Sequence, residues 1–125
     1  MNLRLIALST LALAFSGTLF SAEPMSATEI ISLLTNSTIN CKNLEKNHES
    51  SVHFRSDGTA TRLNHEGEKI PGNWRVTDNG QHCVHWGEEE RCNLILDQGN
   101  GIYQKIENVK PRAVFTVTEG NPMNL

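Results

Sequence analysis

The chain has 125 residues, 38% of them hydrophobic, with 11 Lys and Arg against 14 Asp and Glu and a formal charge of −3. That length supports one domain with a core of its own and no second. The acidic excess is spread without a basic stripe, which argues against a nucleic-acid binder or a protein drawn to an anionic membrane surface.

Arg4 is followed by the apolar run Leu5 to Phe15 and then by small residues ending at Ala22. These are the charged, apolar and cleavage regions of a signal peptide, here residues 1–22. Phe20 stands where a small residue is usual, so the cleavage position is less fixed than the signal itself; an uncleaved anchor is the alternative. A spanning helix needs about 20 apolar residues, more than this run offers, which favours cleavage and no stable membrane insertion afterwards. Residues 23–125 then form a single small β domain, periplasmic or secreted.

Ser26-Ala-Thr-Glu29 reads as a capping box opening a short helix that carries Ile30, Ile31, Leu33 and Leu34. From Thr38 onward, short β-branched and aromatic runs alternate with turn dipeptides. Asp57-Gly58 and Asn79-Gly80 are two-residue hairpin signals, because both central residues must accept positive φ. Gly99-Asn100-Gly101 marks a third turn, and a last strand runs from Ala113 to Val117. Short strands joined by tight turns predict an all-β antiparallel meander with one short N-terminal helix, either a small up-and-down barrel or a curled sheet. Without long crossover helices, parallel α/β folds are excluded.

All three cysteines, Cys41, Cys83 and Cys92, follow the signal. If the loop after Trp86 is centred on Gly87-Glu88, Cys83 faces Cys92 at a close, non-hydrogen-bonded position, and a disulfide is expected there; buried free thiols are the alternative. Cys41 is left over, either inert or available for dimerisation.

A two-residue Asn79-Gly80 turn would set Trp74 opposite His85 and Val76 opposite Cys83. That register places Trp74, His85 and Glu90 together at the end of a mostly apolar face, as a candidate pocket rim or an ordinary polar strand end. It places Arg75, Trp86 and Arg91 on the other face, as a candidate partner surface or a cation–π cover for one tryptophan. His82 and His85, three apart on a strand, fall on opposite faces, and His48, His53 and His65 have no ligand spacing, so no metal site is expected. No cofactor or catalytic motif is present, and an enzyme is not expected.

Ser56-Asp-Gly-Thr59, Gly72-Asn-Trp-Arg-Val76, the run Asn79 to Trp86, Cys92 and Glu119-Gly-Asn-Pro122 together resemble a domain-of-unknown-function family of small exported bacterial proteins. The resemblance implies export and paired cysteines, and it implies no ligand, cofactor or catalytic residue. The expected function is an exported binding or accessory module contacting an unknown protein or small ligand. The alternatives are an exported enzyme inhibitor presenting the Gly87 to Glu90 loop, and a metal-binding periplasmic protein.

Overall fold

The computed structural model describes residues 23–87 and 89–125, so the segment read as an export signal, and Glu88, lie outside the described residues. Among the described residues there are one helix and eight strands. Helix α1 (Ala27–Leu34) opens on the expected capping box: the Glu29 N–H donates to the Ser26 hydroxyl, and the Ser26 N–H donates to the Glu29 carboxylate. Asn36, at φ 60°, then turns the chain into the sheet. No helix among the described residues is long and apolar enough to cross a membrane.

The strands are β1 (Ser37–Asn43), β2 (Glu49–Phe54), β3 (Thr59–Leu63), β4 (Lys69–Val76), β5 (His82–His85), β6 (Glu90–Gly99), β7 (Ile102–Glu107) and β8 (Lys110–Glu119). Each pairs antiparallel with the next, and β8 returns to pair with β1 over seven positions, Ser37↔Glu119 to Asn43↔Ala113. The sheet is therefore a closed up-and-down barrel, and closure removes the free edges that a curled sheet would expose.

The tight turns take a different form from the one predicted. At Asn79-Gly80 the Thr77 N–H donates to the Gln81 carbonyl and the Gly80 N–H to the Thr77 carbonyl, so the loop is Asp78-Asn79-Gly80, three residues long. Gly80 has φ 85°, whereas Asn79 is not among the positive-φ residues. This is a type I turn followed by a left-handed glycine, the usual three-residue hairpin. Ser56-Asp57-Gly58 and His65-Glu66-Gly67 repeat it, with the Gly58 N–H donating to the Arg55 carbonyl and the Gly67 N–H to the Asn64 carbonyl. The extra residue shifts the β4–β5 register by one, giving Trp74↔Val84, Arg75↔Cys83 and Val76↔His82.

A one-residue shift exchanges the two faces of a strand relative to its neighbour. Trp74 and Val76 therefore share the barrel interior with His82 and Val84, while Arg75, Cys83 and His85 lie on the outer face. The β5–β6 register is the expected one, Cys83↔Cys92 and His85↔Glu90, and the Cys83–Cys92 disulfide is formed. Cys41 is free.

The core fills the end of the barrel that α1 closes. Ile30 and Leu34 from the helix meet Ile39, Phe54, Ile95 and Phe115 from the strands, all essentially inaccessible to solvent. His82 is fully buried in the same layer, with Phe54 edge-on at 5.1 Å and Trp74 at 6.0 Å between ring centroids. The Trp74 indole N–H donates to the Arg55 carbonyl, which ties the ring to the β2–β3 turn.

Candidate functional site

Toward the other end, where the loops after β1, β3, β5 and β7 gather, the interior changes from apolar to polar. Interior positions there carry Cys41, Asn43, Ser50, Arg62, Arg91, Asn93 and Lys105. With Arg112 and Trp86 they line a cavity of about 160 Å³, whose floor is Phe54, Val52 and Val84.

Backbone geometry accounts for two of these side chains. Gly72, cross-strand from Ala60, lies under Trp86, and a Cβ there would overlap the indole ring and the His85 carbonyl. The absence of a side chain at this position leaves the space that the Trp86 ring occupies. Arg112 comes from a β-bulge: pairing shifts between Lys105↔Ala113 and Ile106↔Pro111, leaving Arg112 as the extra residue. A bulge re-aims a side chain, and here Arg112 and Ala113, though consecutive, both line the cavity.

Four cations, Arg62, Arg91, Lys105 and Arg112, thus converge on one space. Glu107 is an ion-pair partner to Arg112 and approaches Arg91 at 3.8 Å. The Arg62 guanidinium stands 5.3 Å from the Trp86 ring centroid, and the Lys105 ammonium 5.9 Å from that of Phe115. The Arg62 Nε is buried without a hydrogen-bond partner among the described residues. Below them, burial and then the charge of Lys105 hold the His82 imidazole well below its ordinary pKa.

Neither constellation expected from the sequence assembles. Trp74 is inside at the closed end, whereas His85 and Glu90 are cross-strand neighbours outside, so the three do not form a pocket rim. Arg75 is outside, holding Glu90 with two hydrogen bonds of 2.8 and 2.7 Å, while Trp86 and Arg91 line the interior cavity. That bond and the Arg75 charge lower the Glu90 pKa. Both corrections follow from the three-residue Asp78-Asn79-Gly80 loop. The sequence reading also missed Arg62, Lys105 and Arg112. Alternation along Thr59 to Leu63 places Arg62 in phase with Ala60, a signal that was available, whereas the bulge at Arg112 left none.

Other groupings carry less chemistry. Cys83, Glu90 and Cys92 are the one set of metal-ligating atoms within 4.8 Å among the described residues, but the disulfide occupies both sulfurs. His48 and His65 stack at 3.8 Å on adjacent loops, while His53 is buried on the outer face against Thr38. Since the Thr38 hydroxyl donates to the Gly120 carbonyl, His53 Nδ1–H is the donor to Thr38. A larger groove, about 730 Å³, lies open between α1 and the ends of β1, β7 and β8, lined by Met25, Leu33, Tyr103 and Val117 with Glu29 and Glu119. Among the described residues it gathers no convergent cations and no buried unpaired polar atom, so the barrel mouth is the stronger site. Comparison with models of protein families, with curated proteins and with solved structures returned no match to this chain.

Proposed function

We propose that this chain is an exported, non-catalytic binding module, periplasmic or secreted, that holds a small polar ligand in the open end of its barrel. One observation carries the reading: a continuous barrel interior is packed and apolar beneath α1 and hollow and polar at the other end. Small barrels normally fill their interior with side chains, and a cavity with convergent polar groups is the usual form of a ligand site. Its volume, about 160 Å³, is that of about five waters at roughly 30 Å³ each. Drug-sized ligands occupy roughly 300–1,000 Å³, so an acyl chain or a large cofactor does not fit this space. Export is supported by the signal-like N-terminus and by the disulfide, which persists in oxidising compartments. The resemblance to a family of exported proteins points the same way.

Native mass spectrometry of the protein purified from periplasmic extract tests the reading. A bound small molecule is expected, and it should be absent from Ser50→Leu and from Asn93→Leu, in which the cavity is filled directly. An apo mass alone from the wild-type protein, or an adduct retained by both folded variants, contradicts it.

A further inference from the structure

Resting on that reading of the mouth as a ligand site, we infer that the ligand presents an oxyanion, a carboxylate or phosphate group, to Arg62 and Lys105, with Arg91 and Arg112 at the rim. In a chain whose acids outnumber its bases, four of eleven Lys and Arg side chains line this one small cavity. The single acidic partner there among the described residues, Glu107, is taken by Arg112 and Arg91. Arg62 and Lys105 have aromatic faces beside them and no carboxylate among the described residues. The acids of the surrounding loops, Glu45, Glu66, Glu68 and Glu89, are exposed, so water solvates them.

Crowded like charges repel, and withdrawing a cation from water without a partner is costly. The buried, unpaired Arg62 Nε adds an unmet donor to that cost. An oxyanion supplies both missing elements, negative charge between the cations and acceptor oxygens for the guanidinium fork. The cavity volume admits one such group with a short carbon skeleton. The free thiol of Cys41, in the same lining, is a built-in reporter of occupancy.

The experiment uses the folded, disulfide-intact secreted protein, titrated with sodium phosphate and with sodium citrate against sodium chloride at equal ionic strength. The readouts are the rate of Cys41 alkylation by iodoacetamide and the thermal midpoint. At least one oxyanion should slow alkylation about tenfold beyond chloride and raise the midpoint, as any ligand selective for the folded state does. A response to phosphate alone assigns a phosphate group, to citrate alone a carboxylate, and either supports the inference. Arg62→Gln and Lys105→Gln, still melting cooperatively, should each weaken the effect about tenfold, whereas Lys69→Gln on the outer face should not. If both oxyanions act no better than chloride while the adduct recovered from periplasm protects Cys41, the oxyanion assignment falls and the ligand site stands. If no additive protects Cys41, both fall. Unchanged oxyanion binding by Arg62→Gln and Lys105→Gln would also overturn the assignment.

Discussion

His82 and Val109 show how single residues in this barrel act on its stability. His82 is wholly buried, neither ring nitrogen has a hydrogen-bond partner among the described residues, and burial with the Lys105 charge pushes its pKa well below 6.5. The unfolded chain therefore binds a proton at a higher pH than the folded one. Stability is complete above about pH 6.5 and declines as the pH falls from there, by up to about 1.4 kcal/mol per pH unit for one proton. His82→Phe keeps the ring contacts with Phe54 and Trp74 and removes the titration. Denaturant unfolding between pH 7 and 5 should lose most of its pH slope in the variant; a slope equal to the wild type's would assign it elsewhere. A residual slope is expected from His53, whose pKa burial and Arg55 also lower. Glu90 and Asp57, also lowered, act in a separate window, below about pH 4.5. Val109 is 97% exposed and holds φ 57° in the Asn108-Val109 turn. Left-handed backbone costs a non-glycine residue roughly 1–2 kcal/mol, and more strain attaches to a β-branched one. Val109→Gly makes this an Asn-Gly turn and should stabilise by about 1 kcal/mol, net of the glycine's greater unfolded-state entropy. A lower thermal midpoint in the variant would show that the valine is held by contacts that outweigh its strain.

The helix and the hairpins show which elements were legible in the sequence. Ser26 and Glu29 announced α1 because a capping box is a local, reciprocal pair of hydrogen bonds. The β5–β6 register was legible because two cysteines can bond only when face to face, and their disulfide confirms the pairing. The β4–β5 register was not. Asp-Gly and Asn-Gly suit both the two-residue turn, with two positive φ values, and the three-residue loop, in which glycine alone takes one. Composition cannot choose between them, and the flanking residues were no better guide, since both possible faces of β4–β5 carry a mixture of apolar and charged groups. Asn100-Gly101, by contrast, is a true two-residue turn, with φ 58° and 78° between the paired Gly99 and Ile102. The disulfide closes a short segment, Cys83 and Cys92 being nine residues apart. The chain-entropy model assigns such a loop about 2.5 to 3 kcal/mol, less what the hairpin turn already supplies. Cys83→Ala with Cys92→Ala should therefore lower unfolding free energy by no more than that and leave a barrel that still melts cooperatively. Loss of the folded state would mean that the bridge organises the whole sheet.

At the scale of the whole molecule, closure of the barrel converts alternation along each strand into an inside and an outside. The all-β meander was legible from strand spacing, but closure depends on β1 pairing with both β2 and β8, a long-range fact that no local pattern carries. The candidate site was correspondingly hard to see. Trp86 and Arg91 stand out in the sequence, but a two-residue Asn79-Gly80 turn assigns them to an outer surface, because the one residue by which the Asp78-Asn79-Gly80 loop is longer exchanges the faces. Corrected, the same alternation gathers Arg62, Arg91 and Lys105 into the mouth, the bulge adds Arg112, and Gly72 makes space for Trp86. The mouth thus rests on the β4–β5 pairing, which two-dimensional nuclear Overhauser spectroscopy reads directly. Since Thr77 and Gln81 form a hydrogen-bonded pair, the next pair, Val76 and His82, and then Trp74 and Val84 are the close, non-bonded ones. Strong Hα–Hα cross-peaks are predicted between Trp74 and Val84 and between Val76 and His82. Cross-peaks joining Arg75 to Val84 and Thr77 to His82 instead would set Trp86 and Arg91 on the face opposite Trp74 and contradict the account.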